Sequence, residues 1–510
     1  MKIKEFLDFE GIEFIGDESV EIVGISYDSR TIEAGFAFFA LDGHFTDGKK
    51  YIGQAVGKGA KLIISDIKQE GINCAQIIVS DVFRFMALFS RRFYSYPDKE
   101  LTIIAITGTN GKTSVSYMTE NILSLMGKKC AVIGTVNYRY GGKIVQASNT
   151  TPQSADLYKM MREMAAFGIE YLIMEVSSHS LALGRVLGIE FDIAAFTNLT
   201  RDHLDFHRDM NDYFEAKASL FNALGVVNDK NNQKYAIINI DDEYGKRLSK
   251  INNKSQIKTY SAKIQTNADF KAANIKIDKS GSSFDLLMGQ DKCSLNIGNI
   301  GLHNIYNALT AAGICFCCGV ALKDIAEALE KAKAAPGRLE RVDCQDLGFE
   351  VFVDYAHTDD ALKNVLSALK EVEHNKILTV FGCGGDRDRT KRPIMGKIAA
   401  QMSDFAFVTS DNPRTEDPNL IILDIELGIK RADLNNYKVI VDREIAIKEA
   451  IFRAQKDDII LIAGKGHEDY QILGTRKIHF DDREIAAKYI DLRKKEIEEK
   501  KSYGQKEFKF

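Results

Sequence analysis

The sequence predicts an α/β protein of three domains, spanning residues 1–97, 98–334 and 335–510, with a mostly parallel sheet in the middle one. Three observations predict it. The chain has 510 residues, too many for one core when a domain takes about 150 residues. Short continuous apolar runs alternate with segments of helical periodicity in two separate regions, the pattern of parallel βαβ units. Two turn-forming punctuations, Tyr96-Pro97-Asp98 and Ala335-Pro336-Gly337, divide the chain.

Composition narrows the function. Hydrophobic residues make up 45% and charged residues 27%, enough for packed cores under a solvated surface. The net charge of -4 lacks the basic excess that a phosphate backbone demands, so nucleic acid is not an expected partner. No apolar run reaches the roughly 20 residues that span a bilayer, and the opening MKIKEFLDFE lacks the apolar core of a signal peptide. No membrane insertion and a cytoplasmic location are therefore expected.

In chain order, the first region mixes strand-like runs, EIVGISYDS and AFFALDG, with a helix-like stretch. LTIIAITG then reads as a buried parallel strand that enters a Gly-rich turn and the helical pattern SVSYMTENILSLMG. KCAVIG, YLIMEV, IAAFTNL and KYAIINI follow as further strands at helical separations. After Pro336, VFVDYA, KILTVFGCGG, FAFVTSD and IILIAGKG alternate with helices again and predict a separate smaller α/β domain. From about residue 491 the chain is a charged helix ending in a frayed tail. Of the eight cysteines, Cys315, Cys317 and Cys318 form the one tight group. Cys315 and Cys318 make a C-x-x-C with no second ligand pair nearby, and a packed helix is the expectation over zinc or redox chemistry.

The turn after LTIIAITG carries the chemistry. Gly108, Thr109, Asn110, Gly111, Lys112, Thr113 and Ser114 stand between a buried strand and a helix, the setting a phosphate loop requires. Backbone N–H groups at the helix start face the anion, Lys112 adds a point charge, and Thr113 is placed for magnesium. ATP or GTP is the expected ligand, although Ile106 occupies the place of the first glycine of the general pattern.

Downstream, Glu175 ends a strand where doubly wound sheets bind their ligands. His203 and His207 have the spacing that puts two imidazoles on one helical face, which keeps zinc in view. Beside a phosphate loop, hard oxygen ligands for magnesium are the usual second requirement, and Glu175 suits that role.

Gly108-Thr109-Asn110-Gly111-Lys112-Thr113, Glu175-Val176-Ser177-Ser178-His179, Leu199-Thr200-Arg201-Asp202-His203-Leu204-Asp205, His303-Asn304-Ile305-Tyr306-Asn307, Pro336-Gly337-Arg338-Leu339-Glu340 and Asp354-Tyr355-Ala356-His357 occur in the order seen in Mur ligases. The chain resembles that family over nearly its whole length. The resemblance implies a uridine-nucleotide-binding first domain, a central ATPase domain of the phosphate-loop type and a Rossmann-like last domain. It also implies ATP and Mg2+, with the metal held by Thr113, Glu175, His203 and a carbamate on Lys217. Lys112 belongs to the same catalytic group, Asn304 and Asn307 meet the adenine, and Arg338 and Asp354 close on the nucleotide. Carbamylation needs a neutral amine, so Lys217 should sit where its charged form is disfavoured. The chain departs from the family pattern at Asp359, where proline is common; aspartate also suits a helix start.

Within the family the motifs are most similar to the ligase that adds the third peptide residue. Ser26, Ser29 and His44 look like its uridine-nucleotide site, and Asn149, Thr150, Thr151, Ser177 and Arg185 like its muramyl-dipeptide site. Asp411, Asn412 and Arg414, with Arg387, Gly464 and Glu468, look like its amino-acid pocket. The guanidinium of Arg414 suits the distal carboxylate of meso-diaminopimelate, which lysine lacks. The implied substrates are UDP-N-acetylmuramoyl-L-alanyl-D-glutamate and meso-diaminopimelate, joined through an acyl phosphate by a monomer. An L-lysine-adding ligase, a folylpolyglutamate-synthase-like ligase and a non-enzymatic nucleotide switch are the rival readings.

Overall fold

The computed structural model describes residues 1–43, 47–204, 206–251, 254–345 and 347–507, with side chains as far as residue 499. Among the described residues three large sheets follow one another along the chain, and a two-stranded one lies near its end. The first has five strands. Gly24–Ser26, Phe36–Phe39, Leu62–Ser65 and Ala75–Val79 run parallel, and Ile12–Ile15 closes the edge antiparallel.

The central sheet has eleven strands around the buried strand Thr102–Thr107. That strand lies between Tyr171–Glu175 and Ile193–Phe196, parallel to both. Alternate residues feed opposite cores, as the pleat dictates. Ile103 and Ala105 pack with Tyr213 and Phe214 of the helix Met210–Ala223 on one face. Ile104 and Ile106 pack with Val115 and Met118 of the helix Lys112–Leu125, and with the helix Leu302–Cys317, on the other.

All five expected middle strands form. A sixth parallel strand, Gln256–Ser261, and two antiparallel additions extend the sheet: the hairpin Asn137–Tyr140 and Lys143–Gln146, and the meander Phe270–Asp278, Gly281–Met288 and Asp291–Ile297. Cys315 is buried in the helix that ends at Cys317, as a packed helix requires. No group of three or more His, Cys, Asp or Glu that could hold a metal occurs among the described residues.

The third sheet places Glu350–Asp354, Ile459–Ala463, Ile377–Phe381, Phe405–Val408 and Tyr437–Val439 side by side and parallel, with Glu340–Val342 antiparallel at one margin. Parallel neighbours end at the same edge, where ligands bind open α/β sheets. The turns after residues 354, 381, 408 and 463 therefore converge, as do those after 107, 175 and 196 in the central sheet. Among the described residues no helix is long and apolar enough to cross a membrane.

Candidate active site

The phosphate loop leaves the central strand at Gly108 and enters the helix at Gly111, with φ of 144° and 90°. Both positions exclude a side chain. A methyl group on Gly108 would lie 1.9 Å from Thr197 Oγ1, and one on Gly111 2.4 Å from Asn307 Oδ1. The Lys112 ammonium folds back to donate to the carbonyls of Gly108 at 2.9 Å and Thr109 at 2.8 Å.

Lys217 reaches the same Gly108 carbonyl from the opposite side, at 3.0 Å. Its position follows from helical periodicity. Tyr213 and Lys217 are one turn apart on the buried face of their helix, and the Lys217 nitrogen lies 4.7 Å from the Tyr213 ring centre. The side chain is 1% exposed. Burial pushes its ammonium well below the usual lysine range, and the neighbouring Lys112 charge pushes it further. Both influences disfavour the charged form of this amine.

Glu175 is the last residue of its strand and is buried. Its Oε2 accepts from Thr113 Oγ1 at 3.1 Å and Thr135 Oγ1 at 2.8 Å; its Oε1 accepts from the Thr135 N–H at 3.1 Å. Thr113 and Glu175 offer adjacent hard oxygen donors, a set that fits magnesium. Desolvation pushes the His203 imidazole down to about 4, against the pull of Asp202, whose Oδ2 lies 3.4 Å from its Nε2. The helical placement expected for His203 and His207 does not hold. Asp209 caps the helix through the N–H groups of Asn211 and Asp212, so the helix starts at Met210. His203 lies before it with φ of 55°, in a single turn closed by His207 N–H to His203 O at 2.9 Å.

A cavity of about 430 Å³ opens beside the loop, lined by Gly111, Asn304, Asn307, Arg338, Asp354 and Asp360 among others. Asn304 donates to Ile300 O, and Asn307 donates to Asn304 Oδ1 at 3.1 Å. Arg338 crosses from the linker to donate to Thr113 Oγ1 at 3.0 Å, its guanidinium 4.8 Å from the Tyr355 ring centre. Burial pushes the Asp354 carboxyl up to about 6 against the pull of Arg338 and of the Leu339 and Ala356 N–H groups.

Asp359, the departure from the family pattern, is the first residue of the helix Asp359–Glu371, which Thr358 caps. It pairs with Arg201 across the domain boundary, and Asp360 accepts from Asn110 and Thr200, both at 2.9 Å. A proline at 359 has no carboxylate for that ion pair.

The residues expected to meet the muramyl dipeptide gather next to Glu175. Thr151 Oγ1 donates to Glu175 O at 2.8 Å, Ser177 N–H reaches Thr151 Oγ1 at 3.2 Å, and Arg185 donates to Thr151 O at 3.0 Å. Thr150 Oγ1 lies 3.1 Å from Thr135 Oγ1, and Asn149 is held by the Tyr138 hydroxyl. From the first sheet, Tyr27 donates to Asp156, which brings the Ser26–Ser29 turn to this edge. Within that turn Ser26 meets Thr31, and Ser29 donates to Gln54. His44 lies outside the described residues.

The amino-acid residues gather at the edge of the third sheet. A methyl group on Gly384 would lie 3.0 Å from an Arg414 guanidinium nitrogen and 3.8 Å from Arg387 Cγ, so these two side chains flank that glycine. One on Gly464 would lie 2.6 Å from Asp411 Oδ2. Asn412 donates to Glu468 at 2.7 Å. Burial, then the nearby Asp411, pushes the Glu468 carboxyl up, against the pull of Lys465, whose ammonium lies 3.4 Å from Glu468 Oε2. Arg414 has φ of 52° and is pinned by main-chain bonds to Ile472 and Gly474, around the hairpin Tyr470–Leu473 and Arg476–His479.

Sequence reasoning missed Thr135, which belongs to no charged or glycine-lysine motif, and that hairpin, whose strands are four residues each. It also missed His467, whose ring lies tilted 5.0 Å from the Tyr355 ring centre. Burial pushes its imidazole down to about 3, against a hydrogen bond to the Thr135 backbone.

Family models match the chain in three stretches: "Mur ligase family, catalytic domain" over residues 21–94, "Mur ligase middle domain" over 106–315, and "Mur ligase, glutamate ligase domain" over 337–466. A protein of Clostridium botulinum (strain ATCC 19397 / Type A) named UDP-N-acetylmuramoyl-L-alanyl-D-glutamate--2,6-diaminopimelate ligase is 44% identical, covering 94% of this chain and 97% of its own. One of the same name from Fusobacterium nucleatum subsp. nucleatum is 45% identical, covering 95% and 98%. A solved structure described by that name is 34% identical and superposes with a TM-score of 0.68, covering 97% of this chain and 99% of its own.

Proposed function

Because this chain belongs to the Mur ligase family, we propose that it joins meso-2,6-diaminopimelate to the D-glutamate γ-carboxylate of UDP-N-acetylmuramoyl-L-alanyl-D-glutamate, driven by ATP, in peptidoglycan precursor synthesis. The observation that carries this reading is the convergence at one sheet edge. Lys112 and Lys217 meet on the Gly108 carbonyl, and Thr113 and Glu175 share a hydrogen bond. Thr150 and Thr151 of the dipeptide loop stand one hydroxyl away. The three sheets divide the work: residues 1–97 bind the uridine end, 98–334 the ATP, and 335–510 the amine.

The γ-carboxylate oxygen attacks the terminal phosphorus of ATP, an O–P bond forms, and ADP leaves. The amine of diaminopimelate then attacks the acyl carbon, a C–N bond forms, phosphate leaves, and the nitrogen loses a proton. Lys112 and the N–H groups of the loop bind the phosphate oxygens, Arg338 draws the last domain toward the nucleotide, and Asn304 and Asn307 orient the base. Thr113, Glu175, His203 and a carbamylated Lys217 would hold magnesium, which would supply the positive charge that phosphoryl transfer needs. The carbamate forms when the neutral Lys217 amine adds carbon dioxide and releases one proton.

Arg387 and Arg414 around Gly384 favour diaminopimelate over lysine, because its distal carboxylate pairs with a guanidinium fork and Glu468 takes its distal ammonium. Phosphate release with ATP, the UDP-muramyl dipeptide and either amine tests this. Diaminopimelate should release one phosphate per amide. L-Lysine should be used with kcat/KM lower by about two orders of magnitude, since leaving a charge partner unpaired costs on the order of 2–5 kcal/mol. Equal use of both would assign the chain to the lysine-adding reaction.

A further inference from the structure

Two chains of hydroxyl groups end on one carboxylate oxygen. Arg338 donates to Thr113, which donates to Glu175 Oε2; Thr135 donates to the same oxygen and lies beside the Thr150 hydroxyl. Because a carboxylate oxygen accepts, the Thr135 proton is committed to Glu175. The Thr135 oxygen must then accept from Thr150. The second chain thus runs in one direction, from the dipeptide loop to Glu175.

The backbone around Thr135 is shaped for the same carboxylate. Strand Cys130–Ile133 runs parallel to Tyr171–Glu175, with Ile133 opposite Met174, so the chain leaving Ile133 arrives beside Glu175. Gly134 comes first, and a methyl group there would lie 2.4 Å from Glu175 Oε1. Only a glycine lets the carboxylate rest against this turn. Thr135 then contacts both carboxylate oxygens, its N–H on Oε1 and its hydroxyl on Oε2.

We propose that Thr135 is a positioning residue, whose N–H and hydroxyl hold Glu175 in the orientation a divalent cation requires and tie that orientation to Thr150 of the dipeptide loop. The inference rests on the reading that Thr113 and Glu175 take magnesium beside the nucleotide. Groups that orient a ligand carboxylate govern metal affinity, not nucleotide shape, which separates Thr135 from residues that merely support the fold.

ADP binding measured by calorimetry with and without Mg2+ tests it in the full chain, Thr135→Val and Thr135→Ser. Valine keeps the shape and the N–H and removes only the hydroxyl. The gain in ADP affinity from Mg2+ should fall by about tenfold to a hundredfold in Thr135→Val, while metal-free ADP affinity stays within about twofold of the parent. Thr135→Ser should keep the gain. A valine variant with the full gain overturns the proposal, as does a serine variant as impaired as valine, or a loss of metal-free ADP binding equal to the loss with metal. If the parent chain shows no gain from Mg2+, the reading of Thr113 and Glu175 falls first and this inference with it.

Discussion

Lys217→Ala is expected to lower kcat by about 10³-fold, because it removes a buried group aimed at the phosphate loop, and removing one such stabilising contact costs on the order of 10²–10³. Lys217 bonds to the Gly108 carbonyl from a fully desolvated position beside Lys112. A permanent ammonium there adds to an already positive loop; a carbamate replaces it with an anionic oxygen. Short carboxylic acids in the buffer should therefore restore part of the activity of Lys217→Ala by placing a carboxylate in the vacated space. Steady-state turnover against acid concentration measures this. Undiminished turnover, or a loss that no carboxylic acid relieves, would remove the carbamate from the account.

Arg414→Ala should lower kcat/KM for diaminopimelate by about two orders of magnitude, within the 2–5 kcal/mol that an unpaired charge partner costs, and leave ATP affinity nearly unchanged. Alanine and arginine both carry Cβ, so the left-handed backbone at this position is no more strained in the variant. Arg414→Lys keeps the charge but loses the fork, and should recover little. Initial rates with each substrate varied in turn distinguish these outcomes. An equal loss toward ATP and the amine would mean that Arg414 supports the domain and does not pair with the substrate.

How much of this was legible depends on how local the signal is. The apolar run Leu101–Thr107 followed by Gly-Lys-Thr announces a buried strand and an anion cradle within a dozen residues, and both form. Four of the five parallel strands of the third sheet were legible for the same reason, as continuous apolar runs; Tyr437–Val439, three residues at the edge with none fully buried, was not. Nor was the meander from Phe270 to Ile297, because its two outer strands carry exposed polar residues among the apolar ones and only the middle strand is largely buried. The helical reading of His203 and His207 failed because spacing says nothing of a cap at Asp209. Thr135 acts only through Gly134, Glu175 and Thr150, which the sheet brings together from three separate stretches of chain. The bonds of Asp359 and Asp360 to Arg201 and Asn110 likewise exist only once two domains meet.

The central claim is that ATP phosphorylates the γ-carboxylate before the amine arrives. The most direct measurement uses UDP-N-acetylmuramoyl-L-alanyl-D-glutamate with both γ-carboxylate oxygens labelled with oxygen-18, incubated with ATP and diaminopimelate. Mass analysis of the released phosphate should find one labelled oxygen for each amide formed, because the oxygen that attacks phosphorus leaves with it. Amide formed with unlabelled phosphate, or with AMP and pyrophosphate as products, would contradict the account.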